Sequence, residues 1–158
     1  MAELLFDANK QIVSKTDLQG NITYCNKLFI ELSGYSEREL IGKPHSIVRH
    51  HDMPKIVFSL MWETLKNGNE INAYVKNRTK NGDHYWVFAN VTPSFDARGN
   101  IVGYHSVRRV PNKEKKEKIE AIYKKLLSAE RFGGVERSGN ELREMMGGMS
   151  YEKFIQLF

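Results

Sequence analysis

The chain has 158 residues, a formal net charge of +5 and a single cysteine, which is room for one compact core and too little for two ordinary domains. Cys25, alone in Ile22-Thr23-Tyr24-Cys25, excludes an internal disulfide and any zinc site built from several thiolates, and reads as a small core residue. No window approaches a transmembrane span, and residues 1–7 lack the basic start and apolar run of a signal peptide, so a cytoplasmic protein is expected.

The charge excess is confined to residues 108–125, where eight basic residues face three acidic ones; the rest of the chain is balanced, 16 against 16. A short basic segment without a wide basic face argues against nucleic acid. It reads as a solvated connecting helix or, more sharply, as a docking surface for an acidic partner or the inner membrane surface.

In chain order, residues 11–16 and 22–25 predict a hairpin around Asp17-Leu18-Gln19-Gly20-Asn21. Asn26 caps a short helix with Leu28, Phe29 and Leu32 on one face, ended by Ser33-Gly34. Ser36 and Glu39 form a capping box for a helix over 37–41, stopped by Gly42 and Pro44. The following residues 42–54 are too broken by proline for a long helix and rich in anion-binding groups, so a ligand-facing loop is expected. Asp52 or Met53 then caps a helix begun by Pro54 and closed by Asn67-Gly68. Its polar stripe of Lys55, Ser59, Glu63 and Lys66 leaves Val57, Leu60, Met61 and Leu65 inward and pairs Phe58 with Trp62, predicting a helix buried on most sides.

The strongest local signal is Lys80-Asn81-Gly82-Asp83 between two strand-like runs, which predicts a hairpin with a type I′ turn and positive φ at both Asn81 and Gly82. On its far side Tyr85, Val87, Ala89 and Val91 alternate with Trp86, Phe88 and Asn90, so both faces carry bulky groups and one face is a candidate pocket lining. A third turn at residues 96–100 leads to a last strand over 101–109, completing an α+β fold with one antiparallel sheet. Pro111-Asn112 opens a basic amphipathic helix with Ile119, Ile122, Tyr123, Leu126 and Leu127 at helical spacing, broken by Gly133-Gly134. A further helix is expected over 141–158.

Three stretches carry a resemblance: Val48-Arg49-His50-His51-Asp52-Met53-Pro54-Lys55, Met61-Trp62-Glu63-Thr64-Leu65-Lys66-Asn67-Gly68 and Val75-Lys76-Asn77-Arg78. With the element order over 9–110, they resemble PAS sensory domains, specifically the FAD-binding PAS domain of bacterial aerotaxis receptors. The resemblance implies a PAS domain over 9–110, with a five-stranded antiparallel sheet and short helices on one face. It is followed by an output helix over 111–132 and a helical tail over 133–158. It implies bound FAD and a sensory rather than enzymatic role. No catalytic triad, metal-ligand pair or phosphate-cradling loop stands out. Family members continue into membrane, HAMP and methyl-accepting segments that do not occur within these residues. The chain is therefore similar to the small PAS partner of split energy-taxis systems, expected to form a homodimer and to contact a membrane-bound methyl-accepting receptor through its HAMP or signalling region. His51 departs from the family, whose motif has proline there.

The expected flavin contacts are Arg49, His50, Asp52, Trp62, Asn77, Asn90 and Asn26. Arg49 offers a planar cationic fork to phosphate or carbonyl oxygens, or pairs with Asp52. Trp62 supplies a stacking face, or fills a core. Asn77 and Asn90 read the ring edge, or point outward on their strands. His50 bonds the cofactor or caps the next helix, and Asn26 caps its helix or reaches the pocket. The rival readings are a cofactor-free interaction module and a haem gas sensor; haem ligands in such domains lie in the helix body, and residues 54–66 hold no histidine. Light-driven flavin chemistry needs an Asn-Cys-Arg motif, which is missing. The stripe over 119–127 is expected to be incompletely covered by the sheet and so to form an output surface.

Overall fold

Three hairpin turns of one geometry organise the sheet in the computed structural model, which describes residues 2–158. They join β1 (Ile12–Asp17) to β2 (Ile22–Cys25), β3 (Ile71–Arg78) to β4 (His84–Phe95), and β4 to β5 (Ile101–Arg109). In each, the first residue donates its N–H to a carbonyl four residues on and accepts from a glycine three residues on. The glycine bonds are Gly20 to Asp17, 3.1 Å, Gly82 to Thr79, 3.1 Å, and Gly99 to Asp96, 3.1 Å. Within each turn it is the glycine alone that takes positive φ, at 85°, 96° and 82° for Gly20, Gly82 and Gly99. The expected type I′ turn at Asn81-Gly82 is therefore a three-residue turn instead. Asn81 stays out of the left-handed region because its Oδ1 accepts from the Thr79 hydroxyl and from Asp83 N–H, fixing the wider loop.

The sheet is antiparallel in the order β2-β1-β5-β4-β3. At Gly103 on β5 a Cβ would lie 2.2 Å from the Thr16 carbonyl oxygen, so the close approach of β5 to β1 requires glycine.

Between β2 and β3 run α1 (Lys27–Ser33), α2 (Glu37–Leu40), a 3-10 turn (His45–Val48) and α3 (Lys55–Lys66). Asn26 and the Ser36–Glu39 capping box start α1 and α2 as their sequences require. At α3 the expectation fails. Neither Asp52 nor Met53 caps it; the Glu130 carboxylate, far along the chain, accepts from Lys55 N–H at 3.0 Å and Ile56 N–H at 3.1 Å. Nor is α3 buried on most sides: Val57 and Leu65 are buried, whereas Phe58, Leu60, Met61 and Trp62 are half-buried. Its apolar residues face a cavity.

The other face of the sheet is closed by α4 (Lys113–Met146), kinked at Gly134 (φ 69°, ψ −165°), and α5 (Tyr151–Gln156). Gly147 separates the two, so residues 141–158 do not form one helix. Ile119, Tyr123 and Leu126 are buried. Tyr123 Oη donates to the Tyr74 carbonyl at 2.6 Å and lies 3.1 Å from Tyr151 Oη, and its ring stacks on Trp86 at 6.2 Å. Of the stripe expected to remain partly uncovered, these three residues fold back on the sheet, while Ile122 and Leu127 stay half-buried. The reason is the bulk of Tyr74, Trp86 and Phe88 on that face, which needs a cover as much as the helix does.

Candidate ligand-binding cavity

Period-two alternation along β3, β4 and β5 sends Val75, Asn77, Ala89, Val91, Tyr104, Ser106 and Arg108 to one face of the sheet, opposite α4. Between this face and α3 lies a cavity of about 330 Å³, within the range of small-molecule sites. Phe58, Met61, Trp62 and Leu65 of α3 form its roof. Trp62 meets Tyr104 edge to face at 5.1 Å. Gly20 in the first turn touches the same indole: a Cβ there would lie 3.4 Å from Trp62 Cη2. Gln19, Pro44, Ser46 and Arg49 are exposed and form the rim.

The floor is polar. Arg108 is only 3 % exposed, and its guanidinium lies 4.7 Å over the Phe29 ring. Its Nη1 donates to Ser106 Oγ at 3.0 Å and to His45 Nε2 at 3.0 Å, while Ser14 Oγ is 2.9 Å from the same His45 nitrogen. Arginine only donates, so His45 Nε2 accepts and the imidazole proton sits on Nδ1. Burial, then the positive charges of Arg108 and Arg49, push His45 down to about 3, keeping it neutral. Burial also lowers Arg108 to about 10, which leaves it charged at neutral pH. Arg108 Nε and Nη2 and the Tyr85 hydroxyl are buried without a hydrogen-bond partner among the described residues. Burial pushes Tyr85 up to about 12, against the opposing pull of Arg108 and Asn77.

Of the residues expected from sequence, Arg49, Trp62 and Asn77 line this cavity. The Arg49 guanidinium stacks on Phe58 at 3.8 Å, burial lowers its pKa, and its backbone bridges that of Asn77. Asp52 does not pair with it. Asp52 takes Lys76 Nζ at 2.9 Å on the other side of β3.

The other four lie outside the cavity. His50 is buried where its Nδ1 accepts from Asp52 N–H at 3.0 Å and its ring stacks on the exposed His51 at 4.3 Å. Burial first, then the charge of Lys76, push His50 down to about 4. Asn90 sits on the α4 face, donating to Glu70 at 3.1 Å and Asn72 at 3.0 Å. Asn26 is consumed as the α1 cap and by bonds to Val13 N–H and the Gln11 carbonyl. The physical reason at the 49–54 loop is that it wraps the edge of β3, so Arg49 faces the cavity while Asp52 reaches round to the α4 side. Sequence reasoning missed the polar floor, Ser14, His45, Ser106 and Arg108. The available signal was the period-two set Tyr104, Ser106, Arg108 on the last strand.

An antiparallel sheet with one face covered by α4 and α5 and a cavity under short helices on the other defines an α+β module with room for a small molecule. A PAS-fold family model matches residues 22–108, and the chain belongs to that family. Over 115 residues it is 50 % identical to the aerotaxis receptor of Escherichia coli, a match covering 73 % of this chain and 22 % of the receptor. It is 28 % identical over 97 residues to the nitrogen fixation regulatory protein of Klebsiella pneumoniae, covering 61 % of this chain and 20 % of that protein. The chain thus matches about a fifth of the length of these signalling relatives. Among solved structures, a light-oxygen-voltage domain studied with a flavin analogue superposes with a TM-score of 0.64 at 19 % identity, covering 70 % of this chain and 84 % of that one. The PAS domain of a protein from Colwellia psychrerythraea gives a TM-score of 0.59 at 24 % identity, covering 65 % and 87 %. At these identities the superpositions establish the fold. The matches together make this a PAS signalling sensor module. Among the described residues no helix is long and apolar enough to cross a membrane.

Proposed function

We propose that the cavity holds FAD and that the chain is the redox-sensing module of an energy-taxis (aerotaxis) system, reporting to a membrane-bound methyl-accepting receptor by protein contact. The observation that carries this reading is the cavity's make-up. Trp62 lines its roof, a buried guanidinium, Arg108, lines its floor and another, Arg49, stands at the rim, in a chain 50 % identical to an aerotaxis receptor over 73 % of its residues. Trp62 stacks on the ring, the Asn77 amide meets its polar edge, and Arg49 holds pyrophosphate where the site opens to solvent. Bound there, FAD would supply reversible electron transfer. His45 is the one histidine on the cavity lining, and its Nε2 is already hydrogen-bonded to Arg108, which speaks against an axial haem ligand.

The way out of the site is short. Arg49 and Asp52 belong to one loop, Asp52 is tied to Lys76 beneath α4, and Glu130 of α4 holds the first turn of α3. A change in charge in the cavity that repositions Arg49 or α3 is therefore felt by α4, a shift in population between two packings. Ile119, Tyr123 and Leu126 of α4 are buried against the sheet, so the receptor contact, and self-association as a homodimer, fall to its outer face. There Lys113, Lys118, Lys124 and Lys125 are exposed. The test is an absorption spectrum of the purified protein, oxidised and then reduced with dithionite. A flavin doublet that bleaches supports the reading; a Soret band or a featureless spectrum overturns it. Charge reversal by Lys124→Glu with Lys125→Glu should abolish co-purification with the receptor and leave the spectrum unchanged, and undiminished co-purification would remove α4 from the signalling route.

A further inference from the structure

Beyond Arg49 the loop over 49–54 gathers three metal-ligating side chains outside the cavity. One donor atom each from His50, His51 and Asp52 lie within 4.8 Å of one another, and among the described residues no other three histidine, cysteine or acidic side chains come so close. His51 Nε2 is 3.4 Å from Asp52 Oδ1, and His50 Nδ1 is 3.7 Å from Asp52 Oδ2. Two ligands held at about 2.0–2.1 Å by one tetrahedral zinc ion stand about 3.4 Å apart. The carboxylate is therefore already near the separation from each imidazole that a shared ion imposes.

The neighbours decide where such an ion would sit. Lys76 Nζ bonds Asp52 Oδ2 at 2.9 Å, while His51 is approached by Oδ1. Lys76 opposes a cation, but its side chain is 12 % exposed and that of His51 75 %, so the seat on Oδ1 is the outer one. His50 is buried, with the edge of its ring against His84 at 5.9 Å, and His51 stacks on it at 4.3 Å. One bond must be exchanged: His50 Nδ1 accepts from Asp52 N–H at 3.0 Å, and a metal would take that lone pair. Ion pairing alone explains the turn poorly, since two adjoining imidazolium rings beside Lys76 would repel one another. A cation that takes lone pairs from neutral rings suits it better.

We propose that His50, His51 and Asp52 form a binding site for a divalent late first-row metal ion of the zinc class. Two imidazole nitrogens and one carboxylate oxygen coordinate the ion, and water completes the shell on the exposed side. This donor set selects such ions over magnesium and calcium, which prefer oxygen alone. An occupied site ties buried His50 to exposed His51 and stiffens the loop that carries Arg49 at the cavity rim. It does not depend on what the cavity holds. His51 stands where the family motif has proline, so the site belongs to this chain's own sequence.

The test uses the untagged full chain, stripped of metal by EDTA, dialysed, and titrated with zinc against a chromogenic indicator. Wild type should bind a single zinc ion per chain, unaffected by excess magnesium. His51→Pro, His51→Ala and Asp52→Asn should each weaken binding by roughly tenfold or more. Hydrogen exchange of the wild type should slow over residues 49–53 when zinc is added and stay unchanged at the turn over 96–100. Unsaturable uptake by the wild type, or unchanged affinity in the folded His51 variants, would reveal adventitious binding to surface histidines and overturn the proposal. The exchange measurement needs no variant: zinc uptake without slowing in the loop overturns it equally.

Discussion

The two faces of this sheet are built from the same strands and have opposite characters. Against α4 and α5, large rings interlock and the Tyr123 hydroxyl finds both a carbonyl and a second hydroxyl. Against α3, side chains of similar size leave about 330 Å³ between them, and a charged guanidinium lies buried without a counter-charge. One face is filled by the chain's own side chains, with Trp86 Nε1 left unpartnered; the other leaves space of the size a small molecule needs. A packed core and a binding site can thus share a strand, separated only by the alternation of its side chains.

The comparison breaks most visibly at Leu126, which is fully buried on the closed face. Leu126→Ala should lower the free energy of unfolding by about 2–5 kcal/mol while the cofactor content per folded molecule stays at the wild-type value. A loss under about 1 kcal/mol in urea titration would mean that α4 is not part of the core. On the open face, Trp62→Ala should do the reverse: its half-buried indole contributes less to the fold, and the loss should appear as depleted FAD in a protein with a wild-type far-ultraviolet spectrum. Full occupancy in that variant would move the site elsewhere.

Acid sharpens the contrast further. His45 under the cavity floor titrates at about 3 and His50 beside the β3 edge at about 4, against about 6.5 in the unfolded chain. Between those values the unfolded chain binds more protons, so the stability these residues contribute is complete above pH 6.5. It is lost as pH falls through that window, by roughly 1 kcal/mol per histidine near pH 5.5. Melting temperatures recorded from pH 7.5 to 5 check the sign, and a flat or rising profile toward acid would contradict it; His50→Asn should shallow the slope. The smallest effect is expected at Glu130, which joins the two sides of the molecule. Glu130→Ala removes the acceptor of two first-turn amides and should cost about 1 kcal/mol. It should also speed hydrogen exchange at Lys55 and Ile56, and unchanged exchange there would uncouple α4 from α3.

What was legible in the sequence followed the range of the interaction. The Asn26 cap, the Ser36–Glu39 box and the glycine-closed turns involve residues within five positions, and their places, though not the type of the Asn81-Gly82 turn, are legible in the chain itself. The cap on α3 was not legible, because Glu130 lies 75 residues from Lys55 and nothing near Pro54 announces it. Nor was the closed stripe of α4, whose partners Tyr74 and Trp86 belong to strands read for their pocket-facing neighbours. At the site, Arg49, Trp62 and Asn77 of the expected contacts lie on the cavity. The resemblance gave no way to see that the 49–54 loop turns about a strand edge and carries His50 and Asp52 away. Arg108 was counted with the basic segment that follows it, since a charge count runs along the chain. The strand's period separates buried Arg108 from exposed Arg109, and that alternation is where the floor of the cavity was written.

Whether the open face holds FAD can be weighed in a native mass spectrum, with wild type and Trp62→Ala recorded side by side under conditions that keep the fold. The wild-type protomer should be heavier by the mass of one FAD and the Trp62→Ala protomer should stand at the mass of the bare chain. A wild-type protomer carrying FMN or haem, or no added mass at all, would contradict the FAD reading.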